Sequence, residues 1–155
     1  MLDDFAGIRL DVGSGAATRA GWYGIDSRAH PAVALPWDLE QIPWPLPDGC
    51  ALEAFAGFVV NRVNPARWGF VAFMDEVHRL LKPGGVLNIV AYYGCNHRYQ
   101  SDPAACNPIN ENTLLYFDPA HRSGLWHVYQ PQPWMITRQT WAADGNLEAT
   151  IVKRT

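Results

Sequence analysis

Along this chain the spacing of apolar residues changes several times, and each change marks an element. Ile8-Arg9-Leu10-Asp11-Val12 alternates apolar and polar positions and runs into Gly13-Ser14-Gly15. A period of two predicts a short strand, and the glycines predict a tight turn at its end. Trp22 to Ile25 is a second apolar piece, closed by Asp26, and Ala32 to Leu35 is a third, followed by Pro36-Trp37-Asp38-Leu39. Pro43-Trp44-Pro45-Leu46-Pro47-Asp48-Gly49 holds too much proline for a regular element. From Leu52 to Val60 the chain is apolar without a clear period, and it reads as a strand to about Ala56 with a helical turn beyond.

The period then lengthens. Phe70, Phe73, Met74, Val77 and Leu81 fall on one face of a helix. Asn64 is placed to cap that helix, Pro65 suits its first position, and Asp75 and Arg79 form an i,i+4 pair on its outer side. Lys82-Pro83-Gly84-Gly85 stops the helix, and Val86 to Tyr93 reads as a buried strand. Near the end, two apolar runs, Trp134 to Trp141 and Leu147 to Lys153, flank Asp144-Gly145, a strong hairpin signal. Strands separated by turns and helices, then a hairpin, predict an α/β fold. Its form is a Rossmann-like three-layer sandwich, mostly parallel, closed by a C-terminal antiparallel β-hairpin. A length of 155 residues fits a single domain, 1–155.

Charge and cysteine usage narrow the function classes. Twelve Lys and Arg against 15 Asp and Glu leave a formal net charge of −3, with no basic stripe for a nucleic-acid backbone. No apolar stretch is long enough for a membrane span, and Met1-Leu2-Asp3-Asp4-Phe5 lacks the features of a secretory leader. Cys50, Cys95 and Cys106 are odd in number and irregularly spaced, which points to reduced thiols and a cytoplasmic setting. Cys95, His97 and Cys106 can be drawn as a metal set, but without a paired half-site or a fourth ligand, so no metal is expected.

In a parallel sheet, ligands sit beyond the carboxyl ends of the strands. Gly13, Ser14, Gly15, Asp26 and Asp38 would all lie on that rim. Residues without a Cβ let a ligand approach the backbone closely, and a strand-end carboxylate such as Asp26 accepts from two adjacent ribose hydroxyls. Asp38 would accept from an adenine amino group, Trp37 and Leu39 would wall the ring, and Asp11 would order the glycine loop.

These segments, in order, resemble the class I S-adenosylmethionine-dependent methyltransferases. Leu10-Asp11-Val12-Gly13-Ser14-Gly15 looks like their first motif, and Gly24-Ile25-Asp26 like their acidic second-strand end. Asp38-Leu39, with Pro43-Trp44-Pro45 and Asp48, is similar to their third-strand region. Met74 to Gly85, ending in Leu-Lys-Pro-Gly-Gly, looks like the signature before their fifth strand. The resemblance implies S-adenosyl-L-methionine as cofactor and methyl transfer to a small-molecule or macromolecular acceptor. The short interval from Gly15 to Asp26 resembles a compact subgroup of bacteria and phages.

Two departures stand beside the resemblance. Ala104-Ala105 follow Asp102-Pro103 where that subgroup has Thr-His, and Asn61-Arg62 stand where relatives have Glu-His. A proton acceptor would then be His97, Asp102 or Tyr93. Ser101 to Asn112 reads as a mobile lid over the acceptor site. A dinucleotide-binding oxidoreductase is the weaker alternative, because Thr18 replaces the third glycine of its fingerprint. A methyltransferase fold that binds cofactor or partner without catalysis is the other.

Overall fold

The structure, a computed structural model, describes Phe5 and residues 7–155, so the reading of Met1 to Asp4 lies outside the described residues. Its strands are β1 (Ile8–Val12), β2 (Tyr23–Asp26), β3 (Leu35–Pro36), β4 (Ala51–Gly57), β5 (Leu81–Tyr92), β6 (Trp134–Trp141) and β7 (Asn146–Lys153). They form one sheet in the order β3-β2-β1-β4-β5-β7-β6. Pairing is parallel from β3 through β5, whereas β7 runs antiparallel to both of its neighbours. The Asp144-Gly145 hairpin is therefore real, with Trp141 opposite Leu147 at its closed end. β3 is only two residues long, and Pro36, which has no N–H to give to a ladder, ends it.

The main helix, α1 (Gly69–Leu80), buries Phe70, Phe73, Met74, Val77 and Leu80. It begins later than Asn64 suggests. The Asn64 side chain accepts from Ala66 N–H at 2.9 Å, just ahead of a short 3-10 turn, Ala66–Trp68, whose cap position is Pro65. Arg67 and Trp68 then adopt left-handed backbone angles, φ 53° and 66°, which separate that turn from the helix. Gly69 follows because a Cβ there would lie 2.2 Å from the Asn64 carbonyl oxygen.

Arg79 does not pair with Asp75. Its guanidinium grips buried Glu76 at 2.6 and 2.9 Å, while Asp75 accepts from Gln132 N–H at 2.8 Å. Arg79 also donates to the carbonyls of Trp44 and Leu46 and to Asp48, and Glu76 accepts from Trp44 N–H at 2.6 Å. An acid buried on the inner helix face leaves little choice: an uncompensated charge there costs several kcal/mol, roughly, so the one guanidinium in reach turns to it. The result ties the proline-rich loop to the helix. Lys82 to Gly85 forms a bulge inside β5, since Leu81 pairs with Ala51 and the next pair is Val86 with Glu53.

The two faces of the sheet differ. One carries Leu10, Val12, Ala54, Ala56, Leu87, Ile89, Ala91, Ala149 and Ile151, all buried in one core with the inner face of α1. The other carries Arg9, Glu53, Asn88, Thr150, Glu148 and Arg138, none of them buried. Between β1 and β2 the chain makes turns, with no helix, and lays Arg19 over the Phe55 ring at 3.5 Å. Among the described residues no helix is long and apolar enough to cross a membrane.

Candidate functional site

The carboxyl ends of β1, β2, β4 and β5 meet at one rim, and glycines shape its first part. Gly13 (φ 69°) and Gly15 (φ 59°) adopt backbone angles that favour glycine. Gly13 and Ser14 donate to Ile25 carbonyl oxygen at 2.8 and 3.2 Å, which turns the chain over the end of β2. A Cβ on Gly13 would lie 2.4 Å from Val59 Cγ2, so the Val59 side chain fills that notch. A Cβ on Gly15 would meet nothing within 4 Å, so the open side of the loop is at Gly15.

The acids hold this loop. Gly15 N–H donates to Asp26 Oδ2 at 2.9 Å, and Arg28 N–H to Asp26 Oδ1 at 2.9 Å. Each Asp26 oxygen therefore has one such partner and a further lone pair to offer. Asp11, 4% exposed, accepts from Arg19 N–H at 2.8 Å and so orders the turns that replace a helix. Thr18 donates to Ala32 carbonyl oxygen at 2.6 Å and accepts from the Ser14 hydroxyl at 3.0 Å. Gly24 is required beneath them, because a Cβ there would lie 2.3 Å from Thr18 Oγ1.

Beyond β3, Asp38 is exposed and accepts from Glu40 N–H at 3.0 Å through one oxygen. Leu39 is 8% exposed and belongs to the core, where its carbonyl accepts from the Trp44 indole at 3.1 Å. That burial counts against Leu39 as a wall of the rim, and half-buried Trp37 is the flat side chain beside Asp38.

At β4 and β5 the rim contains residues that the sequence reading passed over. Phe58 has φ 60° and packs its ring against Tyr92, centroids 4.4 Å apart and planes tilted by 32°. A left-handed non-glycine residue costs about 1–2 kcal/mol, so the surroundings must hold it. Asn61, 1% exposed, uses its amide as a strand would. It accepts from Tyr92 N–H at 2.8 Å and donates to the carbonyls of Tyr92 and Asn107 at 3.0 and 3.2 Å.

Asn61 also decides the fate of the segment read as a lid. Its carbonyl accepts from Cys106 and Asn107 N–H groups, Asn107 donates to Val60, and Ile109 is buried against a bridge to Tyr93. Asn107 to Ile109 is thus fixed in place. The lid reading missed it because a single buried Asn and a single Ile leave no periodic trace.

The three expected proton acceptors fare differently. His97 opens the short helix α2 (His97–Ser101), is exposed, and sits 3.4 Å from Ser101 Oγ. Asp102 receives Ala104 N–H at 2.9 Å and both Nε and Nη2 of Arg62, at 2.9 and 2.8 Å. The Ala104 N–H first, and then Arg62, hold its carboxyl below the ordinary range. A carboxylate so stabilised is a weaker base, which counts against Asp102 as the proton acceptor. Arg62, in the unusual Asn61-Arg62 pair, supplies the partner. Tyr93 donates its hydroxyl to Glu111 at 2.6 Å, and that bond raises the phenol above its usual range while lowering the acid. Among the described residues no three His, Cys, Asp or Glu side chains converge as a metal set.

No family model and no curated protein matches the chain. Solved structures do. A SAM-dependent methyltransferase from Mesorhizobium loti superposes with a TM-score of 0.64 at 12% identity, covering 98% of this chain and 95% of that one. The Burkholderia thailandensis 1,6-didemethyltoxoflavin-N1-methyltransferase, solved with 1,6-didemethyltoxoflavin and S-adenosylhomocysteine, gives 0.65 at 14%, covering 97% and 72%. The [4+2]-cyclase SpnF gives 0.59 at 15%, covering 97% and 76%. At such identities the likeness establishes the fold, and the fold is the Rossmann-like arrangement of class I methyltransferases.

Proposed function

We propose that this chain binds S-adenosylmethionine at the β1–β2–β3 part of the rim and transfers its methyl group to an acceptor held farther along. The Gly15–Asp26 hydrogen bond carries the reading. It fixes a carboxylate at the end of β2, beside the open side of a glycine turn, with lone pairs left for two ribose hydroxyls. The residues fit the adenosyl part of the cofactor. Asp26 would take the ribose, Asp38 the adenine amino group, and Gly15 and Ser14 the close approach, while Asp11 keeps the turn in place. Gly13 serves the turn itself, since Val59 occupies its notch.

The bound cofactor would supply an already activated methyl, so the protein's task is alignment, exclusion of water and, for a hydroxyl or amine acceptor, removal of a proton. Phe58 and Tyr92 form an apolar floor at the ends of β4 and β5. His97 offers an exposed imidazole at the same end of the sheet for the proton. Cys50, Cys95 and Cys106 are all free thiols, in accord with a reducing, cytoplasmic setting.

Calorimetric titration tests the cofactor assignment. S-adenosylhomocysteine is expected to bind one site, and Asp26→Ala to weaken it by about 1.5–3 kcal/mol, the value of hydrogen bonds to a charged group. Undiminished affinity in Asp26→Ala removes that residue from the site. A second reading, cofactor binding without methyl transfer, is favoured by the engagement of Asp102 with Arg62 and by the cyclase that shares the fold. Release of S-adenosylhomocysteine with a panel of acceptors decides between the two.

A further inference from the structure

On the far part of the rim, past β5, a cavity of about 640 Å³ opens between Tyr93, the start of α2 and the β6–β7 hairpin. Its walls carry two aromatic rings and two acids, with the His97 imidazole and the Cys95 thiol beside them. Trp141, 46% exposed, meets Tyr93 edge to face, with centroids 4.6 Å apart and planes at 88°. Glu111 and Asp144 add two carboxylates, and neither Lys nor Arg lines the space. The framework is braced on both sides. Asn96 donates to the Asp144 and Gly145 carbonyls at 3.2 and 3.0 Å, and Gln139 to the Glu111 carbonyl at 2.9 Å.

We propose that this cavity binds an organic ammonium group and that the methyl acceptor is a small molecule carrying one. Aromatic faces attract a desolvated cation through their quadrupoles, and a neighbouring carboxylate adds a direct charge term. The same walls repel anions and offer a neutral ligand no such gain. Glu111 is suited to the role because the Tyr93 hydroxyl donates to its Oε2 at 2.6 Å and fixes the carboxylate at the cavity wall. The bond from Tyr93 also favours the charged form of the acid. The volume lies within the range for small ligands, roughly 300–1,000 Å³. β6 runs parallel to β5, so the hairpin turn stands at the same end of the sheet as Asp26. The acceptor assignment rests on the methyltransferase reading above; the ammonium site does not.

Choline and its neutral carbon isostere, 3,3-dimethylbutan-1-ol, separate charge from shape. Titrated calorimetrically into the cofactor-free full chain, choline is expected to bind about tenfold more tightly than the alcohol. Glu111→Gln keeps an acceptor for the Tyr93 hydroxyl but removes the charge, and it should abolish most of that preference. Trp141→Ala should weaken choline by about two- to fivefold in a protein that still melts cooperatively. Equal binding of the two probes, no heat from choline, or a preference that survives in both variants overturns the proposal. S-adenosylhomocysteine titrated in parallel keeps the two readings apart. Loss of its binding with choline preference intact overturns the cofactor assignment alone.

Discussion

The two faces of the sheet stabilise the protein in different ways. The face toward α1 is apolar without interruption from β1 to β7, and each large aliphatic side chain there contributes about 1.5–3 kcal/mol by leaving water. The opposite face sets a polar ladder among half-buried Phe55, Val86, Val90 and Val152. Arg9 lies 3.6 Å from Glu53, Glu53 accepts from Asn88 at 2.9 Å, and Asn88 accepts from Thr150 at 3.0 Å. Such half-exposed pairs add little, but they let the face meet water without a helix on it. A chain with few residues between its first strands can therefore keep a full seven-stranded sheet, provided one face carries most of the burial. The turns left on the other side, tied by Asp11 and Asp26, become the rim of the site.

Adjacent residues on β5 give the sharpest test of that asymmetry. Leu87→Ala, on the helix face, is expected to cost about 2–5 kcal/mol by urea unfolding, from lost burial plus a cavity. Asn88→Val, one position along and pointing the other way, is expected to stay within about 1 kcal/mol of the parent. Comparable losses from the two would show that the polar face is as tightly built as the other.

The next effect is smaller and depends on pH. His78 is buried on the helix side, its ring against Trp134 and its Nε2 3.2 Å from the Pro133 carbonyl. Burial first, and then the charge of Lys153, depress its pKa below the ordinary 6.5. The folded protein thus binds this proton less readily than the unfolded chain. Its contribution is present above 6.5 and is lost as the pH falls from there toward the depressed folded value. Urea midpoints measured across that window should decline in the parent and decline less in His78→Gln. An identical slope in both would place the proton elsewhere.

The smallest effect is expected at the edge of the polar face. Arg138 and Glu148 lie 3.5 Å apart with both side chains exposed, and Arg138→Ala should change stability by no more than about 0.5 kcal/mol. A larger loss in the melting curve would mean that the ladder acts as a connected network.

The sequence by itself determined the strand and helix order, the hairpin at Asp144-Gly145, and the identity of the glycine turn and its acids. Those features are local: alternation, helical spacing and turn chemistry are set by neighbours in the chain. Tertiary structure decided the rest, because the contacts concerned join residues far apart in sequence. It put Val59 into the notch of Gly13, turned Arg79 from Asp75 to Glu76, and gave Asp102 to Arg62. It also pinned the expected lid through Asn61, and it brought Tyr93, Glu111 and Trp141 around one cavity. A carboxylate's partner and a glycine's neighbour depend on packing across the sheet, and no period along the chain records which residues that packing brings together.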